Sequence, residues 1–252
     1  MANQVEATSY PAAAQRTLLN LAWGAVATAL CVLWTALLAP PAAVLAALGK
    51  PHAVTPLSRL WGRLLIRTCS VKVRIEGLEN LAGLKTYTLV SNHQSFFDIF
   101  SIVAFMPGEI RLVAKKELLK IPVLGYALKN SGHVIIDRQS GGKEIRKVIE
   151  SSREGFSIAI FAEGHRFSDN RVHEFEDGAA WLAIMTRTPA VPMAISGSAA
   201  FFPRLAKIVV PGGTMRMTIG KPIPTEGLKS SDRTELTRKL EEAVRATFST
   251  EV

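Results

Sequence analysis

Residues 17–49 form the longest apolar run of the chain and contain no charged side chain. The part from 18 to 39 is 22 residues long, which as a helix is enough to cross about 30 Å of hydrocarbon. Pro40 and Pro41 predict the end of that helix, because proline lacks a backbone N–H and its ring collides with the preceding turn. Residues 42–49 are then too short to span. The pattern predicts a membrane-associated segment, either one crossing with an interfacial piece or a shallow helical hairpin in one leaflet.

Other interpretations of this run have less support. A cleaved signal peptide has a shorter apolar core and a more basic leader, whereas Arg16 is the one basic residue before this run. A buried helix of a soluble fold is disfavoured by the length and low polarity of the run. Residues 1–16 are polar and contain Pro11, so we expect a disordered tail there.

Residues 57–67 have an amphipathic pattern instead. Arg59, Arg63 and Arg67 recur every four positions on one helical face, while leucines and Trp61 occupy the other faces. Such a helix either lies in the lipid headgroup layer or packs its leucines on the domain that follows. We therefore expect residues 17–70 to form one membrane-associated helical unit.

From residue 71 onward, short β-branched runs alternate with helical patterns. This alternation predicts an α/β domain over residues 71–252, with a largely parallel central sheet flanked by helices. The predicted strands are 71–75, 87–90, 110–114, 134–136, 158–161 and 191–195. The predicted helices are 96–106, 118–129, 143–153 and 179–187.

Two further patterns close the domain. Residues 208–219 predict a hairpin, because a Pro-Gly-Gly turn signal interrupts an apolar run. Residues 231–248 predict an amphipathic helix capped by Ser231 or Asp232. The length of 252 residues suits one α/β domain with an appended segment.

Charge narrows the choice of partners. The formal net charge is +9, which suits either nucleic acid or an anionic membrane surface. We see no zinc-ligand spacing or RNA-binding aromatic motif, so we expect membrane lipid and no nucleic acid. Lys50 and the arginines that follow the apolar run place the downstream domain on the cytoplasmic side of the cytoplasmic membrane. Cys31 and Cys69 are expected to be reduced.

The candidate chemistry begins where a β-branched run ends, in the sequence LVSNHQSFFD at 89–98. His93 and Asp98 form an H-x4-D pair, and a carboxylate beside an imidazole is the minimal equipment for a general base at neutral pH. A spacing of five brings the two side chains together only if a turn separates a strand from a helix. We expect a strand ending near Ser91 and a helix starting near Ser95. A lone histidine at a strand end is otherwise usually structural.

A second polar cluster follows another strand pattern, in FAEGHRFS at 161–168. Arg166 suits a phosphate, because its guanidinium donates two parallel hydrogen bonds. Glu163 is a candidate for orienting Arg166 or a substrate hydroxyl, and Gly164 permits close backbone approach. Further cations follow strands predicted to open on the same crevice: Lys115, Lys116 and Arg138.

Four ordered segments resemble the blocks of the glycerolipid acyltransferase family. They are the H-x4-D segment, GHVIIDR at 132–138, Glu163-Gly164-x-Arg166 and TPAVPMAI at 188–195. The resemblance implies an enzyme that moves an acyl group from acyl-CoA or acyl carrier protein to lysophosphatidic acid, making phosphatidic acid. It implies His93 as the base and Asp98 as its partner. Ala162 and His165 stand where the family usually has Pro and Thr.

These departures keep two other functions open. One is the same chemistry on another lysolipid, such as a lyso-aminolipid. The other is a membrane-tethered module that binds a lysolipid without turnover, although binding alone needs neither His93 nor Asp98. We expect no cofactor and no metal, since the histidines lack a ligand-pair spacing.

Overall fold

A computed structural model of the chain describes residues 18–120, 125, 133–136, 143–203 and 206–252. Within this part, one mixed sheet contains seven strands. In chain order they are β1 (Lys72–Glu76), β2 (Thr88–Ser91), β3 (Ile110–Lys115), β4 (Val134–Ile136), β5 (Ser157–Phe161), β6 (Ala190–Ser196) and β7 (Thr214–Ile219). The α-helices are α1 (Leu18–Ala47), α2 (Val54–Thr68), α3 (Phe96–Phe105), α4 (Lys143–Arg153), α5 (Gly178–Thr186) and α6 (Arg233–Thr247).

The strand order across the sheet is β1-β7-β6-β2-β5-β3-β4. Neighbouring strands are parallel except for β6 and β7, which are antiparallel. The prediction of a largely parallel sheet flanked by helices is therefore confirmed. Because β2, β5, β3 and β4 are parallel neighbours, their carboxyl ends meet at one edge, and the loops after them open there.

Central strands are buried on both faces and separate two apolar cores. Leu89 of β2 belongs to the core that also contains residues of α2 and α3, whereas the next residue, Val90, packs in the core formed with α5 and α6. Successive side chains of a strand point to opposite faces, so one strand supplies both layers. Such strands carry continuous apolar runs, which is why the sequence identified them.

The hairpin predicted over residues 208–219 is wrong. Only β7 is a strand, and its two edges pair with β1 and β6. The preceding residues turn the chain instead: Gly212 and Gly213 have φ of 85° and 103°, a region that favours glycine. The N–H of Gly212 donates to the carbonyl of Cys69, and the Gly213 carbonyl accepts from the N–H of Lys72.

The predicted end of the first helix at Pro40 is also wrong, since α1 continues through both prolines to Ala47. A Schellman arrangement then ends it: Gly49 has φ 69°, and the N–H groups of Gly49 and Lys50 donate to the carbonyls of Ala46 and Leu45. The helix predicted over residues 118–129 lies mostly outside the described residues. The closing helix α6 has Asp232 as its N-cap residue.

One side of α1 lies along the domain. Its buried residues are small, namely Gly24, Ala27, Ala39 and Ala42. A Cβ on Gly24 would lie 2.4 Å from the carbonyl oxygen of Val209. Small residues thus let the helix backbone approach the domain closely.

Two threonine hydroxyl groups of α1 accept hydrogen bonds, one from the domain and one from α2. Thr28 Oγ1 accepts from the N–H of Val209 at 3.0 Å, and Thr35 Oγ1 accepts from Trp61 Nε1 at 2.9 Å. The opposite side consists of exposed large apolar residues, and this helix is long and apolar enough to cross a membrane.

Helix α2 packs on α1 and α3, with Leu65 and Ile66 buried. Leu60, Arg63 and Arg67 remain exposed on its outer side. Packing on the following domain, the second of the two placements that the sequence allowed, is therefore present in the structure. The exposed arginines leave a basic outer face beside the apolar face of α1.

Candidate active site

The turn between β2 and α3 brings His93 to Asp98, as the sequence predicted. β2 ends at Ser91 and α3 starts at Phe96. Ser95 is the N-cap of α3, and its own N–H donates to Asp98 Oδ2 at 2.8 Å, which is one half of a capping box. His93 Nδ1 lies 2.8 Å from the same oxygen. The spacing of the pair is thus set by a local helix-capping motif.

Asp98 is completely buried, yet its Oδ2 atom has three donors. Besides the His93 ring, the N–H groups of Gln94 and Ser95 donate to it at 2.7 and 2.8 Å. Three donors to one buried oxygen fix its position relative to the His93 ring. With Nδ1 held by this oxygen, Nε2 is the ring nitrogen left to take a proton from a substrate.

The His93 ring is also fixed by packing. It stacks on Phe161 with ring centroids 3.9 Å apart and an interplanar angle of 14°. Phe161 is the last residue of β5, and its Cα is paired with that of Ser91. Adjacent strand ends therefore hold both the ring and the turn that carries it, leaving little freedom for the imidazole to rotate.

Asn92 ties the turn to the next strand. Its Nδ2 donates to the carbonyl of Ile195 at 2.8 Å, and its Oδ1 accepts from the N–H of Ile195 at 2.8 Å. A side-chain amide that pairs with both main-chain groups of one residue behaves like a further step of the sheet. Asn92 therefore shapes the turn.

The loop after β5 is bound to the His93 turn. The N–H of Phe167 donates to the carbonyl of His93 at 2.9 Å, and Ser168 Oγ donates to the carbonyl of Gln94 at 3.0 Å. Gly164 has φ 67°, so the loop leaves β5 through a conformation that favours glycine. The loop that carries Arg166 and the turn that carries His93 thus form one unit.

Glu163 is buried between these two segments. Its Oε2 accepts from the N–H of His93 at 2.8 Å, and its Oε1 accepts from the N–H of His173 at 2.8 Å. Desolvation raises the pKa of Glu163 to about 7, while the N–H groups of His173 and His93 act in the opposite direction. The structure places Glu163 behind the histidine, in contact with its main chain.

Arg166 lies beside the start of α3. Its guanidinium carbon is 4.2 Å from the centroid of the Phe96 ring, within cation–π range. Phe96 is the first residue of the helix whose third position is Asp98. A cation next to a helix N-terminus is a favourable arrangement for an anionic group.

The structure describes the other predicted cations only in part. Lys115 ends β3, with its Cα paired with that of Ile136 of β4, so its main chain reaches the same sheet edge as Ser91. Lys116 follows in a short 3₁₀ turn and is exposed. Arg138 lies outside the described residues.

Sequence reasoning missed the aromatic residues of the site. Phe96 lies under Arg166, Phe161 under His93, and Phe167 stacks on His173 at 3.8 Å. Each of these phenylalanines adjoins a polar motif, and that adjacency is the only sequence signal for them. Among the described residues, no group of three or more His, Cys, Asp or Glu is arranged to hold a metal ion.

Comparisons with known proteins show which proteins this chain resembles. An acyltransferase family model matches residues 72–196. The chloroplast 1-acyl-sn-glycerol-3-phosphate acyltransferase LPAT1 of Arabidopsis thaliana is 31% identical over 171 residues, which cover 66% of this chain and 48% of that protein. The sheep 1-acyl-sn-glycerol-3-phosphate acyltransferase alpha is 28% identical, covering 71% and 63%. This chain therefore spans about half to two thirds of the length of these relatives.

A solved structure has the same fold. The 1-acyl-sn-glycerophosphate acyltransferase PlsC of Thermotoga maritima superposes with a TM-score of 0.72 at 26% sequence identity. The superposition covers 91% of this chain and 92% of that one. The likeness therefore includes the N-terminal helices as well as the sheet.

Proposed function

The chain belongs to the acyltransferase family, and from that membership we propose that it acylates the free sn-2 hydroxyl of 1-acyl-glycerol-3-phosphate. The acyl donor is a thioester of coenzyme A or of acyl carrier protein, and the product is phosphatidic acid. The observation that carries this proposal is the contact of His93 Nδ1 with the buried Asp98 carboxylate. The names of the relatives support the acceptor, because both describe 1-acyl-glycerol-3-phosphate acyltransferases.

The proposed reaction is a direct transfer. His93 Nε2 takes the proton from the acceptor hydroxyl while that oxygen attacks the thioester carbonyl. Asp98 orients the ring and stabilises the imidazolium that forms. The tetrahedral intermediate then collapses, the C–S bond breaks, and the sulfur leaves with the proton returned by His93. No acyl-enzyme is needed.

Arg166 is proposed to bind the acceptor phosphate. Its position at the start of α3 supports this role, since the guanidinium and the helix N-terminus both favour an anion. The loop of Arg166 is bonded to the main chain of His93 and Gln94. A phosphate held by Arg166 would therefore be kept at a constant distance from the base. Lys115, Lys116 and Arg138 are secondary candidates for the same phosphate or for those of the donor.

We further propose that α1 attaches the enzyme to the cytoplasmic face of the membrane. Its buried inner residues run from Gly24 to Ala42, a length of about 27 Å at 1.5 Å per residue. This side packs on α2 and, at Gly24 and Thr28, on Val209 of the domain. An upright crossing would draw these domain contacts into the hydrocarbon. With its outer apolar side in lipid, the docked helix instead places the site beside its lysolipid acceptor.

The test is thiol release by the purified, detergent-solubilised protein with acyl-CoA and lysophosphatidic acid. We expect turnover by the wild type, a kcat lower by about 10²–10⁴-fold for His93→Ala, and chiefly a raised acceptor KM for Arg166→Ala. His52→Ala, far from the turn and beside Glu109, serves as the control and keeps its activity. Absence of turnover with acyl-CoA, acyl carrier protein donors and a panel of lysolipids would contradict the proposal.

A further inference from the structure

We propose that Glu163 is a positioning residue, which holds the main chain of His93 in place and does not bind substrate. This inference rests on the proposed function, because it concerns the base of that reaction. It changes the expectation from the sequence, in which Glu163 orients Arg166 or a substrate hydroxyl.

Both carboxylate oxygens of Glu163 are occupied by main-chain donors of the protein itself. Each carboxylate oxygen accepts one main-chain N–H, from His93 on one side and His173 on the other, both at 2.8 Å. The residue is 3% exposed, so water and a soluble headgroup have almost no access to it. A carboxylate in this position organises two chain segments that are otherwise separate in sequence.

His93 is bound through both of its main-chain polar groups. Its N–H donates to Glu163, and its carbonyl accepts from the N–H of Phe167 at 2.9 Å. Both partners belong to the segment after β5, and Arg166 lies between them in sequence. The strand end beneath is paired too, since the N–H of Ala162 donates to the Ser91 carbonyl at 2.9 Å. The segment that carries Arg166 therefore also fixes the position and orientation of His93.

Loss of the Glu163 contact would free one end of this arrangement. The N–H of His93 would lose its acceptor, and the turn would be held at that residue through the carbonyl alone. Misplacement of a catalytic group by about 1 Å can lower the rate by about 10²-fold. Such a change lowers kcat, whereas loss of a substrate contact present in the ground state raises KM.

The test compares Glu163→Gln with Glu174→Gln and Arg166→Ala. Glu174 is exposed in the same loop, so its variant makes the same charge change without touching His93. For Glu163→Gln we expect a kcat lower by about 10–10²-fold and an unchanged acceptor KM. Hydrogen exchange of the free protein supplies a second readout. Glutamine keeps one of the two acceptor oxygens, so at least one of the amides of His93 and His173 should lose protection in Glu163→Gln, and both should keep it in the other two variants.

The outcomes separate this role from the proposed function. An acceptor KM raised as in Arg166→Ala, with kcat and amide protection unchanged, would overturn the positioning role alone. A wild type without turnover would overturn the proposed function and this role with it. If Glu163→Gln does not fold, Glu163→Asp retains the charge on a shorter side chain. A lower kcat at constant KM in that variant supports positioning, and a raised KM contradicts it.

Discussion

Helix α1 and the turn that carries His93 depart from ordinary burial in opposite directions. On α1, large apolar residues are exposed, with Leu18 at 85%, Leu37 at 55% and Val44 at 58%. In the turn, the polar residues Asn92 and Asp98 are fully buried. Asn92 and the Oδ2 atom of Asp98 hydrogen-bond to neighbouring groups of the same protein, which gives a rigid turn. The exposed apolar groups have no such neighbours, and a patch of this kind marks a surface for lipid or a partner.

The largest effect expected from this comparison is that of Asp98→Asn. The amide removes the negative charge that three donors share, and one of those donors is the ring of His93. We expect kcat to fall by about 10²–10⁴-fold and the free energy of unfolding to fall by about 1–3 kcal/mol. Steady-state kinetics and urea unfolding measure the two changes.

A second His–Asp pair provides the matched control. His173 Nε2 lies 2.8 Å from Asp169 Oδ2, the same distance as in the buried pair, but both side chains are partly exposed. An exposed ion pair contributes about 0–1 kcal/mol, so Asp169→Asn should leave kcat and stability nearly unchanged. Equal effects of the two substitutions would show that burial of the pair is not what matters.

The next prediction concerns pH, through Glu163. Burial raises its pKa from its ordinary value of 4.5 to about 7, so between pH 4.5 and 7 the folded protein holds a proton that the unfolded chain has lost. The contribution of this group to stability is therefore complete below pH 4.5 and is lost as the pH rises towards 7. Relative to Glu163→Gln, the wild type should lose up to about 3 kcal/mol across this window. Urea unfolding at several pH values measures the difference, and Glu174→Gln should follow the wild type.

The turn that carries His93 was predictable because its determinants are local. The strand end, the capping Ser95 and the acceptor Asp98 lie within eight residues of one another, and a serine followed three residues later by an acidic side chain is a recognised helix start. The parallel strands were also predictable, since strands buried on both faces carry continuous apolar runs.

The features that the sequence did not reveal depend on distant partners. Glu163 and His93 are 70 residues apart, and no local pattern shows which main-chain N–H a buried carboxylate accepts from. β7 pairs with β1 across more than a hundred residues, as between Lys72 and Thr214. Pro40 and Pro41 have a strong local preference against helix, yet α1 continues through both.

A third prediction tests whether the inner side of α1 stays on the domain. Cys31 of α1 and Cys69 at the end of α2 have sulfur atoms 3.6 Å apart, so a mild oxidant such as copper phenanthroline should join them within one chain, with a loss of about 2 Da visible by mass spectrometry. Gly24→Ala should slow this reaction, because the new Cβ would meet the Val209 carbonyl. Overpacking of this kind costs about 1–3 kcal/mol.

Gly178→Ala is the matched control, since a Cβ at Gly178 meets nothing within 4 Å. The reaction should proceed equally well in liposomes if α1 is docked while bound to the membrane. A cross-link that forms in detergent and disappears in liposomes would contradict the docked attachment and favour a crossing helix separated from the domain.

The smallest effect is expected on the outer side of α1. Leu33 and Leu37 are four residues apart and about half exposed, so they share one face. The double variant Leu33→Gln, Leu37→Gln should weaken binding to anionic liposomes about tenfold, because the apolar contact of two leucine side chains with lipid is lost. The free energy of unfolding in detergent-free buffer should change by less than about 0.5 kcal/mol for each substitution. Flotation and urea unfolding measure these quantities.

Leu78→Gln separates lipid contact from mere exposure. Leu78 is also a partly exposed leucine, but it lies in a short turn after β1 and not on α1. If exposure alone drove binding, all three leucines would contribute alike, and Leu78→Gln would weaken flotation in proportion. If the outer face of α1 is the lipid-binding surface, Leu78→Gln should leave flotation unchanged. The exposed apolar residues of α1 would then be accounted for by contact with lipid, as the buried polar residues of the turn are accounted for by their hydrogen bonds.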